Sequence, residues 1–185
     1  MKVCFFDIET SNLNPPFGWI ICAVIQDLEG KTKVFRIDKY KTFKKEPWND
    51  RELVEDLLDS LREYDVIVTY YGDRYDRKWI STLTVYYDLE PIGLKYHIDI
   101  YREIKRTFKL HNYKLKTLID YLNSRELDEI TEKTPIDSIN YKKAVTGDRK
   151  GIDYVVDHCK RDVSALREIY LLVFKYVSGI RKQLW

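Results

Sequence analysis

Val3-Cys4-Phe5-Phe6-Asp7-Ile8-Glu9-Thr10 is the stretch whose reading decides the fold of this chain. An apolar, strand-favouring run that ends by presenting two carboxylates one residue apart is unusual in a core strand, where unpartnered charge is costly. Side chains at i and i+2 of a strand share a face. Asp7 and Glu9 would therefore converge on one small volume, while Phe6 and Ile8 point to the other side. Two converging carboxylates attract a hard divalent cation. A strand end whose acids emerge into water and cap the next turn would look the same, so this stretch alone leaves both readings open.

Outward from it, Ser11 to Pro16 is turn chemistry, Trp19 to Asp27 is a second apolar run, and Val34-Phe35-Arg36-Ile37 alternates as a third strand. Asn49-Asp50 offers a cap for a helix whose apolar positions Leu53, Val54, Leu57, Leu58 and Leu61 fall at helical spacing. Asp65 to Thr69 reads as a fourth strand broken by Gly72, with a helix over Tyr75–Tyr86, a fifth strand over Leu94–Ile100 and a short helix over Lys114–Leu122. The polar stretch Asn123–Pro135 reads as a loop, Ser138–Val145 as a helical turn and Gly147–Gly151 as a flexible basic connector. One long helix is expected from about Asp153 to Tyr176, closed near Gly179. Three strands in succession, then helix, strand, helix, strand and helices, describe an α/β sheet with an antiparallel edge and parallel additions. That order resembles a ribonuclease H-like fold, a mixed sheet of about five strands flanked by helices, in a single domain over 1–185.

Composition is permissive. The 185 residues suffice for a full core, and a charged fraction of 34% with two Gln and one Met hints at heat adaptation. The net charge of +2 allows a polyanion partner without demanding one, because Lys and Arg are spread along the chain. Cys4, Cys22 and Cys159 have no zinc-like spacing and read as reduced core residues. With no apolar run near the roughly 20 residues of a membrane span and no signal-peptide pattern, a cytoplasmic location is expected.

Two further acidic groups stand out. His158 and Asp162 are four residues apart on one face of the long helix, a pattern that a histidine paired inside a satisfied polar network also explains. Asp73 and Asp76 follow a strand end at a helix start, where carboxylates are common as caps. Taken together, Asp7-Ile8-Glu9-Thr10, Tyr71-Gly72-Asp73-Arg74-Tyr75-Asp76 and His158-Cys159-Lys160-Arg161-Asp162 resemble the three ordered motifs of the DEDD 3′–5′ exonucleases, named for Asp-Glu-Asp-Asp. The second motif resembles the Asn-Gly-Asp-x-Phe-Asp form of the exonuclease domains of family B DNA polymerases, with Tyr71 in place of Asn. His97-Ile98-Asp99 and Asp162-Val163-Ser164-Ala165-Leu166 resemble the stand-alone exonucleases similar to the bacterial YprB protein. The last motif has the three-residue gap of the family's tyrosine subclass but carries His158 at the tyrosine position.

The resemblance implies Asp7, Glu9, Asp76 and Asp162 as metal ligands, with Asp73 left to local capping. Four gathered carboxylates repel unless cations intervene, and oxygen ligands select Mg²⁺ or Mn²⁺. Two such ions about 3.5–4 Å apart would serve phosphodiester hydrolysis, and His158 would take the proton of the attacking water or orient it. Thr10 and Leu13 are implied as contacts to the terminal nucleotide, Tyr71 and Tyr75 as stacking surfaces for single-stranded 3′ ends of DNA or RNA, and His97 and Asp99 as supports behind the site. Lys142, Lys143, Arg149 and Lys150 would hold phosphates or form a solvated basic loop, and His111 has no role. Two other readings stand beside the exonuclease: a ribonuclease H-like endonuclease, and a nucleic-acid-binding module of the same fold without turnover.

Overall fold

Val3–Thr10 forms strand β1, and Val3 to Phe6 are all buried. The strand is covered at both edges, by β2 (Ile20–Asp27) running antiparallel and by β4 (Val66–Thr69) running parallel. β3 (Thr32–Arg36) continues antiparallel on β2, and β5 (Tyr96–Asp99) continues parallel on β4. The computed structural model describes residues 1–124, 130–131, 137–177 and 183–185. Among these the sheet has six strands in the order β3-β2-β1-β4-β5-β6. The expected three-stranded meander and two parallel additions are present. The sixth strand, β6 (Gln183–Leu184), pairs antiparallel with β5 and is too short to carry a readable period.

α1 (Arg51–Arg62) buries the five apolar residues that its spacing singled out. Asp50 at its start does not cap it. The buried Asp50 carboxylate accepts from the Ile20 N–H at 2.7 Å and from the Tyr87 hydroxyl at 2.5 Å, tying the helix start to β2. α2 (Asp76–Tyr86), α4 (Leu115–Asn123) and α5 (Ser138–Val145) lie close to their expected ranges, Asn123 ending α4 rather than opening a loop. α3 (Ile100–Thr107) follows β5 directly, its first turn held by the Asp99 carboxylate accepting from the Tyr101 N–H. The rest of the expected loop, 125–129 and 132–136, lies outside the described residues, as does the expected helix closure at Gly179.

α6 (Arg149–Val173) is the long helix, and it begins earlier than its pattern suggested. Residues 149–151 are its first turn, capped by Asp148, whose carboxylate accepts from the Gly151 N–H at 2.9 Å, so the expected flexible connector is a helix start. Gly151 marks contact rather than flexibility: a Cβ there would sit 2.4 Å from the Ala144 backbone nitrogen, so its absence lets α6 lie directly on α5. α6 covers the face of β1 that carries the odd-numbered side chains, with Phe5 edge-on to Tyr170 at 5.2 Å and the Cys159 thiol 3.4 Å from Asp7 Oδ2. Phe6, on the other face, meets Trp185. Cys4, Cys22 and Cys159 are buried and unbridged. Among the described residues no helix is long and apolar enough to cross a membrane.

Candidate active site

The odd positions of β1 that turn from apolar to acidic do so where the strand reaches the middle of α6. Asp7 and Glu9 are half-buried there, and His158 and Asp162, one helical turn apart, face them from the helix. His158 Nε2 stands 3.7 Å from Glu9 Oε1 and 3.8 Å from Asp162 Oδ2. Both separations are longer than hydrogen bonds. His158 is 3% exposed and Asp162 8%, so a charge placed here is felt in a medium poorer than water.

Asp76 joins from the third side. The chain leaves β4 through Tyr70–Tyr75 and enters α2 with Asp76 as its first residue, where the carboxylate Oδ1 accepts from the Ile8 N–H of β1 at 3.2 Å. Burial first, and then the charges of Asp99 and Glu9, push the Asp76 carboxyl up to about 7 against the lowering effect of its backbone hydrogen bonds. The Tyr75 phenol is likewise raised, by burial and then by the charges of Asp76, Glu9 and Asp7. The four acids thus share one region toward the C-terminal end of β1, the strand at which the sheet changes from antiparallel to parallel pairing, a position where α/β sheets collect ligands.

The loop that delivers Asp76 is held by a polar network under it. Asp99 accepts from the Tyr71, Asp73 and Tyr101 N–H groups at 2.9, 3.1 and 3.0 Å. Burial lowers His97 to about 4, so at neutral pH its Nδ1–H donates to Asp73 Oδ1 at 3.0 Å and its Nε2 accepts from the Thr69 hydroxyl at 2.8 Å. Asp73 is not a cap, as expected of it. Its carboxylate takes Arg102 at 2.6 Å and His97, with Arg77 at 3.6 Å. Gly72 lets the loop fold onto β4, since a Cβ would lie 2.2 Å from Thr69 Oγ1. Tyr71 occupies a left-handed conformation, φ 69°, where Asn is more at ease than an aromatic residue.

Of the expected substrate contacts, Leu13 is 78% exposed and Tyr71 40%. Thr10 is buried: its hydroxyl donates to the Asn12 carbonyl at 2.7 Å and meets the Tyr75 hydroxyl at 2.5 Å, so Thr10 and Tyr75 brace the turn that carries Leu13. Lys142, Lys143, Arg149, Lys150 and His111 are exposed. One residue at the centre had no sequence signal. The Tyr141 hydroxyl of α5 shares its one proton between Glu9 Oε2 at 2.7 Å and the Thr10 carbonyl at 3.0 Å. Burial, and then Glu9, raise the Tyr141 phenol, keeping it a proton donor.

Among the described residues no three His, Cys, Asp or Glu side chains already form a closed metal-binding group. The donor set nevertheless suits a hard cation: carboxylate oxygens from three elements, one of which, Asp76, is raised to about 7, first by burial and then by neighbouring acids. Asp7, Glu9, Asp76 and Asp162 are the residues that could share one.

Comparison with known proteins places the fold. A family model described as the RNase H superfamily matches residues 4–173. The chain is 28% identical over 148 residues to a DNA polymerase of Methanocaldococcus jannaschii, an alignment covering 64% of this chain and 9% of the polymerase. Its fold is similar to that of the family B DNA polymerase from the hyperthermophilic archaeon Pyrobaculum calidifontis, with a TM-score of 0.69 and 18% identity over 92% of this chain and 24% of that one. The chain therefore spans a small part of the length of either polymerase.

Proposed function

The chain belongs to the RNase H superfamily, and from that premise we propose that it is a 3′–5′ exonuclease that shortens single-stranded DNA or RNA with two Mg²⁺ or Mn²⁺ ions. The observation that carries the reading is the convergence of three motifs, far apart in sequence, on one acidic centre: His158 Nε2 lies 3.7 Å from Glu9 and 3.8 Å from Asp162, and Asp76 binds the β1 backbone between Asp7 and Glu9. Asp76, whose carboxyl burial raises to about 7, is an acid that a bound cation would favour in its charged form. The chain matches a small part of each polymerase, and its three motifs resemble those of the exonuclease domains of family B DNA polymerases.

Asp7, Glu9, Asp76 and Asp162 would hold the ions, whose charge would favour the attacking and leaving oxygens of phosphodiester hydrolysis. The remaining work falls to the chain itself. His158, buried with Nε2 toward the acids, accepts the proton of the attacking water, and the flanking carboxylates of Glu9 and Asp162 stabilise the imidazolium that results. Leu13 and Tyr71 offer apolar and aromatic surface to a terminal base, a sequence-tolerant contact suited to single strands. Asp99, through its three backbone hydrogen bonds, fixes the loop from which Tyr71 projects.

The test is a denaturing-gel time course on 5′-labelled single-stranded DNA, duplex DNA and RNA, with Mg²⁺, Mn²⁺ or chelator, beside Asp7→Ala. A ladder shortening from the 3′ end, lost with chelator and in the variant, is the expected result and identifies the preferred nucleic acid. Discrete internal products would replace it with an endonuclease, and intact substrate that is still bound would replace it with a binding module.

A further inference from the structure

Tyr141 reaches the acidic centre from α5, outside all three motifs, and its hydroxyl does two things there. Its one proton is shared between two acceptors, Glu9 Oε2 at 2.7 Å and the Thr10 carbonyl at 3.0 Å. Between those two residues the β1–β2 register slips: Glu9 lies opposite Cys22, whereas Thr10 lies opposite Ile20. A bulge of this kind re-aims the side chain beside it and releases backbone groups from the ladder. One phenol therefore clamps both sides of the bulge, the side chain before it and the carbonyl after it.

The helix carrying this phenol is itself firmly seated. Gly151 brings α6 against the Ala144 backbone, Asp137 caps α5 by accepting from the Ile139 N–H at 2.9 Å, and the Asp137 N–H donates to the Tyr154 hydroxyl of α6 at 2.9 Å. Tyr141 is thus held by α5, α5 by α6, and α6 also supplies His158 and Asp162. The helix that orients Glu9 is therefore seated on the helix that supplies two of the centre's residues.

We infer that Tyr141 is a positioning residue for Glu9, fixing Oε2 so that Oε1 is presented toward His158 and the cation-binding centre before any ion or substrate arrives. The inference rests on the nuclease reading above. A glutamate has three rotatable side-chain bonds and samples several rotamers unless held. Groups that orient a metal ligand from behind typically change metal affinity or turnover about 10–100-fold when removed. Tyr141 makes no claim on the substrate, so its removal acts on ion binding and turnover rather than on nucleic-acid affinity.

The experiment compares the parent chain with Tyr141→Phe, which loses only the hydroxyl, and with Tyr154→Phe, which loosens the seat of α5 without touching Glu9. Three quantities are read: Mn²⁺ binding without substrate, by electron paramagnetic resonance of the free ion; kcat and KM on a single-stranded oligonucleotide; and the melting temperature. Tyr141→Phe is expected to bind Mn²⁺ about 10-fold or more weakly and to lose about 10–100-fold in kcat, with KM within about 2-fold and Tyr154→Phe close to the parent in all but melting temperature. A Tyr141→Phe chain that binds Mn²⁺ and turns over as the parent does overturns the positioning role while leaving the nuclease reading intact. Equal losses in Tyr154→Phe overturn it too, by showing that α5 docking and not the hydroxyl matters. A parent that neither binds Mn²⁺ nor cleaves removes both readings together.

Discussion

Asp76→Asn tests whether the chain accepts a stability cost to keep a carboxylate at its centre. The Asp76 carboxyl is 2% exposed and raised from 3.8 to about 7. A shift of about three units corresponds at ~1.4 kcal/mol per unit to a ceiling of about 4 kcal/mol, and relaxation and coupling to Glu9 bring a working figure to about 2 kcal/mol. The sign follows from proton counting. Between pH 3.8 and about 7 the folded chain holds a proton that the unfolded chain has released, so without metal the Asp76 contribution to stability is complete below that window and declines as pH rises through it. Asparagine is neutral throughout, and its carbonyl can still accept from the Ile8 N–H. In chelator, then, parent and variant should have similar melting temperatures near pH 4, below which both states hold the proton, and diverge toward pH 8, the variant melting about 4–8 °C higher there for ~2 kcal/mol in a domain of this size. Added Mg²⁺ should raise the parent at pH 8 and leave the variant little changed. Parallel melting curves from pH 4 to pH 8 would refute the reasoning, because they would mean that Asp76 is not a strained acid.

Other substitutions probe the frame around the centre. Gly72→Ala would push a Cβ against Thr69 Oγ1, 2.2 Å away, and should cost about 1–3 kcal/mol, read as a lower urea midpoint with an unchanged m-value. Asp50→Ala would strip the acceptor from the Ile20 N–H and the Tyr87 hydroxyl and should cost about 2–3 kcal/mol by the same measurement, whereas Asp50→Asn, which keeps one acceptor, should cost clearly less. His158→Gln should lower kcat about 100-fold while Mn²⁺ still binds, and unchanged turnover would remove His158 as the proton acceptor.

How much of this could be read from the sequence depended on whether the reason for a residue was local. The period of two along Cys4–Glu9 was enough to put Asp7 and Glu9 on one face, and Phe5 and Asp7 do face α6 while Phe6 faces Trp185. The four-residue spacing was enough to pair His158 with Asp162. Residues whose partners lie far along the chain were misread or missed. Asp50 looked like a cap because its acceptor role toward Ile20 and Tyr87 exists only once β2 and α2 are packed beside it. Asp73 looked like a cap because His97 and Arg102 reach it from β5 and α3. Gly151 read as a flexible joint, although its bare Cα answers to Ala144 on another helix. Tyr141 could not have been found at all, since its contact with Glu9 spans 132 residues and no motif accompanies it.

The central claim is that cleavage starts from a strand end, and the most direct measurement compares one single-stranded sequence as a linear strand and as a covalently closed circle, each incubated with the chain and Mn²⁺. The account predicts that the linear strand is degraded to small products while the circle stays intact. Opening of the circle would contradict it, because a strand without an end can only be cut internally.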